Sequence, residues 1–241
     1  MRRPKQTKRR TRTVPKPYFD MQQSGEEANI YIYGDITSYP WEQSDVSAFR
    51  LANQLEQAGN LAEINVHVDS YGGEVSEGFA IYNALRAKNA QITTYADGFV
   101  ASAAIYPFLA GTQRIANNVS AFYFHPVIGG TYGYSEDLRE AADELDKLTE
   151  IGLGAFTNAG MKEQAARDLI NSKTWYSPEA VLEMGLATSI QKGARGDEAT
   201  QSVHDMLIRQ TLAVPSPAPK KPPLEPPAPP QNNLMSLFSK L

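Results

Sequence analysis

Apolar and polar residues alternate with period two in three stretches of the 241-residue chain, at Ile30-Tyr31-Ile32-Tyr33, at Ile64, Val66 and Val68, and from Ile92 to Tyr95. Alternation of this kind predicts strands with one buried face. Between them the period lengthens. Phe49, Leu51 and Leu55 give a partial apolar face to a helix running from Ser44-Asp45-Val46 to Ala58, closed by Gly59-Asn60. Phe79, Ile81, Tyr82 and Leu85 do the same from about Ser76 to Ala87. Repeated strand–loop–helix units predict an α/β domain with a mainly parallel sheet. Ala121 to Phe124 reads as a later strand. Leu138, Ala142, Leu145, Leu148 and Ile151 form one stripe on a long polar helix between Tyr134 and Ala159. Shorter helices follow at Glu163 to Ile170 and at Ser177 to Gly185, the latter with Pro178 at its first position.

Composition marks where the packed part ends. Residues 1–19 carry eight Lys and Arg and no acid, leaving 15 basic against 27 acidic side chains in the rest. A basic, proline-containing arm over 1–27 is expected to stay disordered by itself, with an acidic protein surface as its natural partner and nucleic acid the less favoured one. The packed domain is expected over 28–194, with a possible short helix over 195–213. A linker over 214–233 holds nine prolines between Pro215 and Pro230 and should be extended. The last eight residues, 234–241, place Leu234, Leu237, Phe238 and Leu241 on one helical face, suited to docking on a partner. There is no cysteine, which excludes disulfides and thiolate metal sites and fits a reducing cytoplasm. No apolar run approaches the ~20 residues of a membrane span. Neither a metal nor an organic cofactor is expected.

Candidate chemistry collects at strand ends. Asp69-Ser70-Tyr71-Gly72-Gly73 follows one strand, Gly98-Phe99-Val100-Ala101-Ser102 ends the next, and Phe122-Tyr123-Phe124-His125-Pro126 ends a third. Ser102 among small residues offers a nucleophile, and His125 offers a base. The Gly72-Gly73 pair allows backbone to approach a carbonyl that turns into an oxyanion. Of the other two histidines, His67 lies inside an alternating strand and reads as structural, and His204 lies in the C-terminal segment.

These motifs resemble the Clp protease proteolytic-subunit family, the ClpP-like serine peptidases of the crotonase-type superfamily, and within it the ClpP-like head maturation proteases of tailed phages. The likeness continues through Trp175-Tyr176-Ser177-Pro178-Glu179-Ala180 to Gly185-Leu186 and covers roughly residues 28 to 192. It implies repeated β-α-β units with a projecting handle helix. It implies a serine endopeptidase with Ser102 as nucleophile, His125 as base, and the N–H groups of Gly73 and Ala103 as oxyanion hole. The implied partners are protein or peptide substrates, sister subunits in a ring or stacked rings, and an ATP-dependent unfoldase or a capsid scaffold. The family's aspartate falls on Lys173, which cannot accept an imidazole N–H. Asn171, Asp168 or no third residue at all then orients His125. Tyr71 stands where the family has a proline before the two glycines.

Overall fold

The computed structural model describes residues 20–41 and 45–192. The basic arm through residue 19, His204, and the segments at 195–213, 214–233 and 234–241 lie outside the described residues.

An eight-stranded sheet carries the domain. Its main path runs β1 (Asp20–Ser24), β2 (Glu27–Ile32), β3 (Glu63–Ser70), β4 (Gln91–Ala101), β5 (Gln113–Asn117) and β8 (Ser189–Gln191). The last part of the 11-residue β4 leaves β5 and pairs instead with β6 (Ala121–Tyr123), which in turn pairs with β7 (Trp175–Tyr176). All pairings are parallel except β1–β2 and β6–β7. The alternation read from the sequence corresponds to two faces. Ala28, Ile30, Ile32, Ile64, Val66 and Val68 are fully buried, together with Leu51 and Leu55 of α1 (Ala48–Gln57), Ile81 and Leu85 of α2 (Val75–Arg86), and Phe108 of α3 (Ile105–Leu109). On the opposite face Tyr31, His67 and Tyr95 stack, with centroids 4.9 and 4.6 Å apart and nearly parallel rings. His67 is structural there. Its Nδ1 stands 2.7 Å from Asp97 Oδ2, and Asp97 also accepts from the Tyr33 hydroxyl and from Asn117 Nδ2. Burial, with the Asp97 charge behind it, pushes the Tyr33 phenol well above its ordinary range.

Two elements differ from the hydrophobic reading. The sheet begins at Asp20, inside the span assigned to the arm over 1–27, because a strand with one apolar residue is held by its ladder to β2. Helix α1 starts at Ala48, not at Ser44-Asp45-Val46. Val46 is taken by a β-bridge to Ile36, and Ser47 caps the helix by accepting from Arg50 N. The apolar stripe of α4 (Ser135–Asn158) is only partly covered, with Leu145 and Leu148 half-buried. Leu138, Ala142 and Ile151 are exposed, and the buried residues are Gly152, Leu153, Ala155 and Phe156 near its end. α5 (Glu163–Asn171) packs on α4, and α6 (Pro178–Glu183) packs on the sheet beside β5, β6 and β8.

One charged residue in β5 ties the helix ends together. Arg114 is 8% exposed and donates only to backbone carbonyls: Nε to Leu186, Nη1 to Gly111, and Nη2 to Gly185 and Ala159, at 2.6 to 3.3 Å. Burial lowers its pKa, yet the guanidinium stays charged because those carbonyls replace water. Arg114→Met is expected to destabilise the fold by about 3 kcal/mol, since several buried acceptors lose their donor at once. Arg114→Lys recovers little, because an ammonium lacks the planar fork. Denaturant melts of the three proteins check both statements.

Candidate active site

β4 delivers Ser102. The strand ends at Ala101 in extended backbone, Ser102 turns to φ 54°, and a three-residue 3₁₀ turn (Ser102–Ala104) leads into the five-residue α3. The structure thus has a sharp strand-to-helix elbow at this point, not a long helix beginning at the serine. A side-chain residue in the left-handed region costs of order 1–3 kcal/mol and is held only by its surroundings. Those surroundings include β6 on one side of Ala101 and the glycine turn on the other.

β3 delivers the glycine turn. The Ser70 hydroxyl donates to Gly34 O at 2.6 Å and accepts from Gly72 N at 3.0 Å, which pins the turn where the strand stops. Gly72 (φ 99°) passes so close to the elbow that a Cβ there would stand 2.7 Å from both Ala103 N and Ser102 Cβ. Gly73 (φ 144°) bridges to Ile36 through Ile36 N→Gly72 O and Glu74 N→Ile36 O, both bonds made by its neighbours. Its own N–H therefore faces away from the Ile36 segment. Glu74 fixes that segment from the other side by accepting from the hydroxyls of Ser38 and Thr37. These bonds hold its carboxyl below the usual range.

β6 delivers His125, two residues past its end. Its Nδ1 lies 2.6 Å from the carbonyl oxygen of Pro126. A carbonyl only accepts, so Nδ1 carries the proton and Nε2 is left as the base. Ser102 and His125 line one recess together with Ile105, Tyr106, Phe124, Phe156 and Ile170. No hydrogen bond joins the two side chains in this structure; contacts of this kind tighten when substrate is seated.

Neither sequence-derived third residue is hydrogen-bonded to His125 in the structure. Asp168 is exposed on α5 and accepts from Gln164 Nε2 at 2.8 Å. Asn171, at the end of α5, lines a separate hollow with Pro126, Asp146, Thr149, Glu150, Leu153, Arg167 and Ile170. Arg167 is engaged there by Glu150 and by Glu163. Lys173, at the position of the family's aspartate, is exposed with φ 50°. No cluster able to hold a metal ion occurs among the described residues.

Sequence reading missed several residues that shape the site. Ile36 bridges to Gly73 and Thr37 bonds the Glu74 carboxylate, each pair 37 residues apart, a distance no local pattern spans. Asp69 was visible in its motif, but its partner was not: its Oδ1 accepts from Phe99 N at 2.9 Å.

Comparison with known proteins agrees with this fold. A family model described as Clp protease matches residues 20–194. The ATP-dependent Clp protease proteolytic subunit 2 of Treponema denticola is 27% identical over 144 residues, spanning 58% of this chain and 72% of its own. The subunit of the same description from Borreliella burgdorferi is 29% identical over 169 residues, spanning 67% and 81%. A solved ClpP1 mutant from Listeria monocytogenes superposes with a TM-score of 0.56 at 18% identity, covering 70% of this chain and 92% of its own, a likeness of fold. A model match over residues 20–194, on a parallel sheet with a serine elbow and a strand-end histidine, places the chain in the Clp protease family of serine-type peptidases.

Proposed function

We propose that the chain works as a Clp-type proteolytic subunit, an endopeptidase in which Ser102 attacks the scissile carbonyl and His125 Nε2 takes the serine proton. The observation that carries this reading is the shared recess of Ser102 and His125, with the Gly72 backbone packed against Ala103 N. The carbonyl carbon bonds to Oγ, and its oxygen becomes an anion between the N–H groups of Gly73 and Ala103. His125 then gives the proton to the departing amine. A water repeats the sequence on the acyl-enzyme. The Pro126 carbonyl supports the imidazole through Nδ1, a neutral acceptor in place of a carboxylate.

The exposed part of the stripe on α4, Leu138, Ala142 and Ile151, fits a face covered by another copy of the chain, which supports assembly into rings or stacked rings. The relatives named above are proteolytic subunits of ATP-dependent proteases, which favours an unfoldase as partner. The narrower capsid-maturation reading rests on the basic arm, the proline-rich tail, and the departures at Lys173 and Tyr71.

A fluorophosphonate tests the catalytic assignment. Wild-type protein should be labelled at Ser102, located by peptide mass spectrometry, and Asn171→Ala and Asp168→Ala should keep labelling and turnover within about tenfold, roughly 1.4 kcal/mol of barrier. Absence of label, or label on another serine, overturns the assignment. A larger loss in either variant makes that residue the orienting group in place of Pro126.

A further inference from the structure

A ladder of aromatic rings runs across the sheet beside the catalytic residues. Tyr71 meets Phe99 with centroids 4.9 Å apart, Phe99 meets Trp175 at 5.3 Å, Trp175 meets Tyr123 at 5.0 Å, and Tyr123 meets the ring of His125 at 5.6 Å. Sheet register explains why they meet. Val100, Phe122 and Tyr176 stand opposite one another on the helix-covered face, where Val100 and Phe122 are buried. The next residues along, Tyr123 and Trp175, form a cross-strand pair on the other face, which Phe99 shares two residues before Ala101. Tyr71 is 65% exposed, Trp175 46% and Phe99 39%, so about half of this aromatic surface faces solvent.

The ladder is continuous with the chemistry at both ends. Tyr71 is bonded directly to Gly72, which packs against Ser102, and Tyr123 packs on the imidazole itself. His125 protonates the departing amine, so the residue that carries this amine sits on the histidine side of the scissile bond. The recess that Ser102 and His125 line with Ile105, Tyr106, Phe124, Phe156 and Ile170 lies on the helix-covered face, away from the ladder, and is left for the residue before the bond. Resting on the peptidase reading above, we infer that Tyr71, Phe99, Trp175 and Tyr123 form a binding platform for an aromatic or large apolar side chain on the residue immediately after the cleaved bond. Stacked and edge-on ring contacts discriminate such a side chain from small or charged ones. A charged residue there would leave water for a surface with no opposite charge among its four rings.

The test uses two internally quenched peptides, identical except for Phe or Gly directly after the scissile bond. Wild-type protein is expected to prefer the Phe peptide by about tenfold in kcat/KM, a ratio that corresponds to 1.4 kcal/mol. Tyr71→Ala should bring that ratio towards one, and Tyr71→Phe should keep it. The ratio is taken within each variant, so a general loss of activity does not affect it. Equal cleavage of both peptides by wild type, or a ratio that survives Tyr71→Ala, overturns the inference. So does an unchanged ratio with a smaller assembly by size-exclusion chromatography, which would place the ladder against a second copy of the chain. Cleavage of neither peptide by protein that also refuses a fluorophosphonate overturns the peptidase assignment itself.

Discussion

Ser102→Ala protein is expected to lose peptide hydrolysis to the background level while keeping its fold. The substitution removes one oxygen and leaves the glycine turn, the Ala103 N–H and the recess in place, so only slow hydrolysis by positioned water remains. His125→Ala should be nearly as inactive, and the double variant little worse than either, because a nucleophile without its base and a base without its nucleophile fail for the same reason. Multiplying losses would mean that the two residues act separately. Stability carries a second, independent readout. Alanine keeps a Cβ at φ 54° and therefore keeps the strain, whereas Ser102→Gly relieves it. Thermal unfolding should place Ser102→Gly no lower than Ser102→Ala, although glycine in an ordinary position lowers stability. A glycine variant that melts well below the alanine one would show that the elbow is not strained.

Gly73→Ala is expected to lower kcat about 100-fold or more, the scale of losing one oxyanion donor. The added Cβ would stand 2.1 Å from the carbonyl oxygen of Ile36, at a φ of 144° that side-chain residues rarely adopt. Either the turn swings away from the elbow or the Ile36 segment is pushed out. The first takes the Gly73 N–H away from the proposed oxyanion hole, and the second breaks the bonds with Ile36 that fix its direction. KM for a short peptide should move much less than kcat, because the donor acts chiefly on the transition state. Steady-state kinetics on the assembled protein separate the two, and a variant that keeps wild-type kcat would remove Gly73 from the oxyanion hole.

How much of this was legible in the chain depended on whether a pattern is local. The alternation of Ile64, Val66 and Val68 marked the buried face correctly, because burial on one face is what period two records. The serine, the histidine and the glycine pair were legible because each stands at the end of such a run. β1 was not, since Asp20-Met21-Gln22-Gln23-Ser24 has no apolar period and is held by backbone bonds to β2. Arg114 looks like a solvent-facing residue in an alternating strand until the carbonyls of Gly111, Ala159, Gly185 and Leu186 converge on it. The stripe on α4 was read correctly as apolar, but periodicity does not say what covers it. The ladder from Tyr71 to Trp175 spans 104 positions of sequence and exists only because β4, β6 and β7 lie side by side.

The irregular step between β3 and β4 bears on how this chain can change over generations. Val68 pairs with Ala96 but Ser70 pairs with Val100, so β4 advances four residues while β3 advances two. The surplus places Gly98 against Asp69, where a Cβ would fall 2.4 Å from the carboxylate that accepts from Phe99 N. The two positions are therefore not independent variables. Alanine at 98 would have to turn the Asp69 carboxylate, the movable end of a side chain, out of its place and so break its bond from Phe99 N. Replacing the glycine four residues before the serine therefore takes the bond to Phe99 N with it, unless the residue on the neighbouring strand changes as well.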